Sequence, residues 1–395
     1  MIRHLLKLVW NRKGSTALLM LEIAVSFLVL VGVAAFALHY LSNWRQPLGY
    51  RWQDVWVVEV DTNVTTDDEW TEEQATQMRQ LLREVASLPR VEAVAGALVV
   101  PYSLGGSHGP VGHEERSVMT YVDEVTDGFA GVMGLELAQG RWFGREDDAA
   151  ARPPVVINAR LAAELLPGAD PIGKTLQHRG REVEVIGVVT DFRQFGELSA
   201  PGYYLFERIP EAYAGERPPR SLLLRMAPGT PASYEREVLA RLAPLVPGWS
   251  FEVAPLAQDR QGRLRFALAP LVIGGVIAGF LLLMVGLGLL GVLWQNVTRR
   301  TRELGLRRAS GARRAAIHRQ ILLELVLITS LALAPALLLV LQLPLLGMLG
   351  SVQPAVFAAA VAVALVAIYL LSLACGVYPS WIAVRSEPAE ALRWE

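Results

Sequence analysis

Apolar residues concentrate in four long runs near the two ends of the chain, which has 395 residues. Each run can cross a bilayer as a helix, which takes about 20 residues. The first run is longer than the apolar core of a signal peptide, and residues 39–44 after it contain no small-x-small cleavage pattern, so we expect it to be retained. The pattern predicts an integral membrane protein with four transmembrane helices, over residues 18–41, 268–295, 321–342 and 355–377.

Residues 42–267, between the first and second spans, have the pattern of a water-soluble domain. Residues 71–88 carry Met78, Leu81, Leu82 and Val85 at helical spacing, which predicts an amphipathic helix. Residues 105–112 are rich in glycine and are expected to form a turn. Further helices are predicted over residues 159–166 and 232–242, and strands over residues 55–60, 91–100, 117–122, 153–158, 183–190, 221–226 and 250–253. The fold class is therefore a four-helix membrane protein with an inserted α+β domain.

The distribution of arginine predicts the orientation, because positively charged loops stay in the cytoplasm. Residues 296–320 are rich in arginine and contain one acid, Glu303, whereas residues 343–354 carry no charge. The N-terminal segment 1–17, the loop 296–320 and the tail 378–395 are therefore expected in the cytoplasm. The domain 42–267 and the short loop 343–354 are expected on the other side.

Composition narrows the possible chemistry. The net charge of −1 gives no reason to expect a nucleic-acid partner, and the single cysteine, Cys375, cannot form an internal disulfide. Two carboxylates, Glu22 and Glu324, fall inside predicted spans. A carboxylate in a membrane is a functional candidate, although either could instead lie at the interface or pair with an arginine. The role of Glu22 stays open.

Two local motifs are interpreted as structural. Residues 168–175 fit the phosphate-loop expression G-x-x-x-x-G-K-[ST], but a helix precedes them, a strand follows, and Pro171 removes one amide donor, so we expect a turn. His108, His113, Glu114 and Glu115 match no zinc spacing and are expected in a flexible, solvated loop. We therefore predict no catalytic, cofactor-binding or metal-binding residue, and hence no enzyme.

Several short motifs carry a resemblance to a known family. Residues 302–312 closely resemble the R-E-I-G-x-x-R-A-x-G-A signature of MacB/FtsX-type ABC transporter permeases, and residues 378–395 resemble the end of those proteins. Residues 140–143, 155–158, 171–174 and 185–191 resemble landmarks of the MacB-like periplasmic domain. The chain is thus similar to a stand-alone permease subunit, because the short segment before its first span is expected to leave no room for a fused ATPase.

The resemblance implies partners and a mechanism. Such permeases lie in the bacterial inner membrane, multi-pass, with cytoplasmic N- and C-termini, and pair with an identical or related permease chain. They bind two copies of an ABC ATPase, which holds ATP and Mg, and they use mechanotransmission for efflux or extraction of an antibiotic, a peptide or a lipid at the periplasmic face. Engagement of a membrane-fusion adaptor and an outer-membrane channel is left open.

The resemblance also assigns the ATPase-coupling residues, on a short helix over about residues 306–316. They are Arg302, Glu303, Gly305, Arg307, Arg308, Ala309, Ser310, Gly311 and Ala312. Two alternatives remain beside the transporter. One is an FtsX-like regulator of cell-wall hydrolases, and the other is a non-transport membrane sensor.

Overall fold

A computed structural model describes residues 13–62, 71–210, 219–299, 314–348, 350 and 352–385. The chain divides into two compact units. We call Met1–Ser42 with Leu268–Glu395 the helical unit, and Asn43–Ala267 the sheet unit.

The described residues form eight α-helices and eleven strands. The helices are α1 (Lys13–Trp44), α2 (Glu72–Ala86), α3 (Phe129–Met133), α4 (Ala159–Leu165), α5 (Glu235–Leu242), α6 (Leu256–Arg299), α7 (Arg314–Leu345) and α8 (Pro354–Arg385). The strands are β1 (Val55–Asp61), β2 (Val91–Ala97), β3 (Ser107–His113), β4 (Arg116–Val125), β5 (Leu137–Gly140), β6 (Pro154–Asn158), β7 (Thr175–His178), β8 (Arg181–Val189), β9 (Tyr204–Arg208), β10 (Ser221–Met226) and β11 (Ser250–Pro255).

Helices α1, α6, α7 and α8 each contain a stretch long and apolar enough to cross a membrane. These stretches are Ala17–Trp44, Leu256–Gln295, His318–Leu345 and Pro354–Val377. The prediction of four membrane helices is confirmed. The helices extend beyond the predicted spans, because a helical backbone satisfies its own hydrogen bonds on either side of the apolar stretch. Helix α7 also continues through Pro335 and Pro344.

Small residues mark the contacts between these helices. A Cβ on Gly376 of α8 would lie 2.9 Å from Leu322 and Leu325 of α7. A Cβ on Gly288 of α6 would lie 3.1 Å from Leu19 and from the carboxylate of Glu22 on α1. Glu22 is thus half-buried against a glycine of the second span, and at both glycines side chains of the neighbouring helix occupy the space that a Cβ would take.

Ten strands of the sheet unit follow the order β11-β1-β10-β2-β4-β3-β7-β8-β6-β9, with β5 added beside β8. Strand β9 also pairs in parallel with β4, from Tyr121 opposite Tyr204 to Val125 opposite Arg208. The strands β4, β3, β7, β8, β6 and β9 therefore close into a small barrel. The remaining strands, β11, β1, β10 and β2, extend from β4 as an antiparallel sheet.

Three apolar cores follow from this arrangement. One cluster joins aliphatic side chains of the barrel strands, such as Val122, Val155 and Leu205, to Leu161 and Leu165 of α4. Helices α2 and α5 pack on the antiparallel sheet with Met78, Leu81 and other buried residues, as the helical spacing predicted. An aromatic core, which includes Phe192 and Phe206, forms the third cluster.

The glycine-rich turn predicted over residues 105–112 is wrong. Strand β3 occupies most of that segment and pairs with β4 from Ser107 opposite Val122 to His113 opposite Arg116. Glycine weakens a strand but can occupy one where a backbone approaches closely. Gly112 shows this, because its Cβ would lie 3.2 Å from the carbonyl oxygen of Arg116. His108 and His113 are consequently strand residues, not part of a flexible loop.

Candidate functional site

The predicted ATPase-coupling residues, Arg302 to Ala312, lie outside the described residues. The structure describes the two helices that flank them, because α6 ends at Arg299 and α7 begins at Arg314. The coupling segment therefore connects two membrane helices, as the resemblance implies. Its own geometry stays a prediction.

The phosphate-loop look-alike is a turn, as predicted. Helix α4 precedes it and strand β7 follows it, the reverse of the order in a nucleotide site. Gly168 and Gly173 adopt the positive φ angles of +75° and +76° that a tight turn requires. The amide of Gly173 donates to the carbonyl of Val185 (2.8 Å), and the amide of Ile172 donates to the carboxylate of Asp170 (3.1 Å). These amides are therefore bound within the protein.

The histidines of the predicted loop do not gather into a metal site. The Nδ1 atom of His113 lies 2.9 Å from the carbonyl oxygen of Thr175, across the barrel strands. Within the described part of the chain, no group of three or more His, Cys, Asp or Glu side chains is placed to hold a metal ion.

The sheet unit contains a polar cluster that sequence reasoning missed. It centres on residues 191–199, which follow β8 without regular secondary structure and which we call the strap. Arg193 in the strap is fully buried, and its guanidinium donates to four backbone carbonyls. The Nη1 atom donates to Asn43 (2.9 Å) and Gln46 (3.1 Å), and the Nη2 atom donates to Glu197 (2.6 Å) and Ser199.

The first of these acceptors belongs to the end of a helix. Asn43 is the penultimate residue of α1, and its carbonyl accepts from the amide of Gln46 (3.0 Å) as well as from Arg193. A cation is favoured there by the helix dipole, and a guanidinium supplies several donors in one rigid plane. The side chain of Asn43 adds a second link by donating to the carbonyl of Leu198 (3.0 Å). Arg193 and Asn43 together join the end of α1 to the strap.

The strap also holds the beginning of helix α6. The Nε atom of Arg260 donates to the carboxylate of Glu197 (2.6 Å), and its guanidinium lies over the ring of Trp52, 4.4 Å from the centroid. Arg263, one turn further along α6, lies over the ring of Phe195 at 5.3 Å. Glu197 thus bridges the two ends, since its carbonyl accepts from Arg193 and its carboxylate accepts from Arg260.

Two glycines permit the close packing of the strap. Gly49, downstream of α1, has φ of +86°, and its Cβ would lie 2.1 Å from the carbonyl oxygen of Asp191. Gly196 has φ of +85°, and its Cβ would lie 2.7 Å from the ring of Tyr102. The amide of Tyr102 in turn donates to the carbonyl of Gln194 (2.7 Å). Larger side chains at either glycine would force the backbones apart.

Burial sets the electrostatics of the cluster. Desolvation lowers the pKa of Arg193, and the nearby carboxylates of Asp191 and Glu197 oppose that shift. Burial also raises the pKa of Asp191, although its bond from the Phe192 amide and the charge of Arg160 act in the other direction. Arg193 is thus a buried cation whose hydrogen bonds go to neutral carbonyls, an arrangement that requires all of its acceptors to stay in place.

A second buried guanidinium provides a contrast within the same unit. Arg208 on β9 binds the carboxylate of Asp127 through two bonds (2.7 and 2.9 Å) and the carboxylate of Asp148 through one (2.7 Å). These hydrogen bonds raise the pKa of Arg208 above its usual value. Among the described residues its partners are carboxylates of the sheet unit, and none of them belongs to α1 or α6.

Comparison with known families matches both parts of the chain. The model of the MacB-like periplasmic core domain matches residues 16–241, and the model of the FtsX-like permease C-terminal domain matches residues 275–388. The first match alone covers more than half of the chain.

Curated relatives point the same way. The chain is 28% identical over 219 residues to the uncharacterised ABC transporter permease YknZ of Bacillus subtilis, covering 55% of each chain. It is 29% identical over 286 residues to the macrolide export ATP-binding/permease protein MacB of Bordetella avium, covering 71% of this chain and 44% of that protein. It is 26% identical over 322 residues to the pyoverdine export ATP-binding/permease protein PvdT of Pseudomonas fluorescens, covering 79% of this chain and 47% of that protein. The chain spans about half the length of the curated relatives it matches.

Solved structures also resemble the chain. The periplasmic region of MacB from Actinobacillus actinomycetemcomitans matches at 16% identity with a TM-score of 0.39, covering 53% of this chain and 92% of that one. The extracellular domain of the transporter YknZ from Gram-positive bacteria matches at 16% identity with a TM-score of 0.35, covering 50% of this chain and 99% of that one. On the two family matches, in order along a chain with four membrane helices, this protein belongs to the MacB/FtsX-type permeases of ABC transporters.

Proposed function

We propose that this chain is a non-catalytic permease subunit, which a separate cytoplasmic ATPase drives by mechanotransmission. The observation that carries the proposal is the order of its parts. The periplasmic core match covers α1 and most of the sheet unit, the permease match covers the second half of α6 together with α7 and α8, and the arginine-rich segment connects α6 to α7. Closure of the ATPase would move the helices on both sides of that segment, and the helices would reshape the sheet unit.

The proposed orientation places both termini and residues 300–313 in the cytoplasm of a bacterium, with the sheet unit in the periplasm. The distribution of charge supports it, because arginines crowd the connection between α6 and α7, whereas residues 343–354 between α7 and α8 carry no charge. In this orientation the coupling residues face the ATPase. ATP and Mg would be bound by that partner.

The proposed work is efflux or extraction at the periplasmic face, without a polar path through the bilayer. Each candidate span contains a window of 18 residues with at most two charged side chains. Polar groups buried between α7 and α8 bond to each other, since the Thr329 hydroxyl donates to that of Ser372 (3.0 Å). A proton or ion pathway would instead need a row of ionisable groups.

The substrate class that we propose is an antibiotic, a peptide or a lipid. The relatives named above are described as exporters of macrolides and of pyoverdine, which is why export is the first direction to test. The proposed assembly contains two ATPase copies and a second permease chain, identical or related. An adaptor and an outer-membrane channel would extend the assembly if the substrate leaves the cell.

The proposal is tested by co-purifying the detergent-solubilised chain with the ABC ATPase encoded beside it. We expect the wild type to retain the ATPase, and Gly311→Asp and the double variant Arg307→Glu/Arg308→Glu to lose it while still inserting in the membrane. Arg236→Glu reverses an exposed charge on α5 of the sheet unit and is the matched control, which should bind as the wild type does.

The outcomes separate the alternatives. Retention of the ATPase by the coupling variants would show that the assignment of residues 302–312 is wrong. Failure of the wild type to bind any ATPase would remove the transporter proposal and favour the regulator of cell-wall hydrolases or the sensor.

A further inference from the structure

We infer that Arg193 is a positioning residue for mechanical coupling, which ties the end of α1 and the beginning of α6 to the sheet unit through the strap. The inference rests on the proposed function and assigns the transmission step to named residues. All the contacts that support it lie within residues 43–267.

The strap contacts both places where the chain passes between the sheet unit and a membrane helix. The sheet unit is joined to the membrane helices at two places, where α1 ends at Trp44 and where α6 begins at Leu256. The strap touches both, because Arg193 binds the carbonyl of Asn43 and Glu197 binds the side chain of Arg260. A displacement of either helix therefore reaches the same loop.

The hydrogen-bond geometry of Arg193 makes the connection between the end of α1 and the strap rigid. Its guanidinium is planar, and its four acceptors come from the end of α1, from the residues after it and from the strap itself. A lysine would keep the positive charge but would offer one compact ammonium group, which cannot reproduce a planar fork. Arg193→Lys therefore tests the planar set of hydrogen-bond donors separately from the positive charge.

Further contacts around Arg193 hold the chain that leaves α1 in a fixed position against the strap. Gly49 touches the carbonyl of Asp191 so closely that no Cβ would fit, and the hydroxyl of Tyr50 donates to the carbonyl of Arg193 (3.5 Å). The chain leaving α1 thus contacts the strap at residues 43, 46, 49 and 50. On the side of α6, Arg263 over Phe195 supplements the ion pair of Arg260.

Arg208 is the matched control for Arg193. Both guanidinium groups are buried in the sheet unit, but Arg208 binds Asp127 and Asp148 and makes no contact with the ends of α1 or α6 among the described residues. Arg208→Lys should therefore perturb stability without interrupting transmission, whereas Arg193→Lys should interrupt transmission.

The test is hydrogen exchange of the full permease–ATPase complex, with and without ATP and vanadate. In the wild type we expect ATP-dependent differences at the ends of α6 and α7 beside residues 300–313 and also in residues 43–60 of the sheet unit. In Arg193→Lys the differences beside residues 300–313 should remain. Those in residues 43–60 should fall at least about fivefold, the lower end of typical allosteric coupling. Arg208→Lys should keep both.

Each outcome is decisive. A wild-type response of residues 43–60 in Arg193→Lys, or an equal loss in Arg208→Lys, would overturn the inference while leaving the proposed function in place. Absence of any ATP-dependent difference in the wild type would overturn the proposed function and the inference with it. If Arg193→Lys does not fold, the double variant Arg260→Ala/Arg263→Ala replaces it, because both side chains are partly exposed and together they make the contacts of α6 with Glu197 and Phe195 of the strap. Retention of the response in Arg260→Ala/Arg263→Ala would then refute the role of the strap.

Discussion

The two units of this protein differ in their outer surfaces, because both bury large apolar side chains but most of the exposed ones belong to the helical unit. In the sheet unit the fully buried side chains are large, with Phe206, Tyr204 and Met78 among them. In the helical unit Phe280 is 62% exposed, whereas Ala360 and other small residues are fully buried. Water drives large apolar groups inward, but lipid does not, so membrane helices pack through small residues that let their backbones approach.

Polar groups follow the same division. The sheet unit buries Arg193 completely and leaves the side chain of Arg208 only 6% exposed, and each guanidinium has several acceptors. The helical unit joins α7 to α8 through hydroxyl pairs, Thr329 with Ser372 and Ser330 with Tyr369. A hydroxyl pair satisfies itself without a charge, which suits a hydrocarbon environment. The solvent around each unit thus selects the chemistry of its interior.

The largest effect that we expect from this contrast comes from truncating one phenylalanine in each unit. Phe206 packs against Phe192, Trp142 and Phe129, with ring centroids 5.0 to 5.9 Å apart. Phe206→Ala should lower the free energy of unfolding of the sheet unit by about 3–5 kcal/mol. Phe280→Ala on α6 should change the stability of the detergent-solubilised chain by less than about 0.5 kcal/mol, because the ring is already exposed.

Pulse proteolysis of the full chain in detergent, with denaturant titration, measures both variants. A large loss in Phe280→Ala would show that this face of α6 is covered by a partner, which would sharpen the comparison. A small loss in Phe206→Ala would contradict the description of the aromatic core.

The next effect depends on pH and concerns Asp123 on β4. Burial raises the pKa of Asp123 to about 8, and its Oδ1 atom has no hydrogen-bond partner among the described residues. The neighbouring charge of Glu124 adds to the shift. Between about pH 4 and pH 8 the unfolded chain has lost this proton while the folded chain keeps it. Stability should therefore fall with rising pH, by up to about 1.4 kcal/mol per pH unit.

Asp123→Asn removes this titration. Relative to the wild type, the variant should gain about 2–3 kcal/mol in the free energy of unfolding between about pH 5 and pH 7. Denaturant unfolding at both pH values measures the gain, with Asp170→Asn, an exposed turn residue, as the control. Parallel pH profiles for wild type and Asp123→Asn would show that Asp123 titrates normally.

The hydropathy pattern alone predicted the elements whose apolar residues form one continuous stripe along a helix or one long apolar run. The four membrane helices are of this kind, and so is α2, whose Met78, Leu81 and Val85 lie at helical spacing. The pattern did not reveal β7 and β9, which are four and five residues long, too short for a periodic signal. It also failed at β3, where glycines indicated a turn but cross-strand pairing with β4 decided the conformation.

The strap could not be predicted for a different reason. Arg193 is an arginine in an irregular segment, and residues of that kind are usually exposed. Its burial depends on carbonyls at residues 43 and 46, about 150 residues earlier in the chain. No local pattern contains that information. The glycines at positions 49 and 196 are the one local sign of close packing, because each adopts a positive φ beside another backbone segment or ring. A glycine in the sequence does not, however, identify which segment lies beside it.

A smaller effect separates a buried cap from an exposed one within the sheet unit. Asn158 is fully buried, accepts from the amides of Leu161 and Tyr204 (3.1 Å each) and donates to the carbonyl of Gly202 (2.9 Å). Asn158→Ala should cost about 2 kcal/mol, because it leaves buried groups unpaired. Thr71→Ala removes the exposed cap of α2 and should cost about 1 kcal/mol. Equal losses in thermal unfolding would show that burial adds nothing to capping here.

The smallest effect belongs to the hydroxyl pair of the helical unit. Thr329→Val keeps the shape of the side chain and removes its bond to Ser372, which should cost about 0.6 kcal/mol, the typical value for a hydrogen bond between membrane helices. Ser372→Ala should cost a similar amount. The double variant should cost less than the sum of the two, because it leaves no hydroxyl without its partner. Thermal unfolding in detergent, with Ser330→Ala as the control for the neighbouring pair, measures this coupling. Strict additivity would mean that the bond between Thr329 and Ser372 contributes nothing to the contact of α7 with α8 beyond the packing of the two side chains.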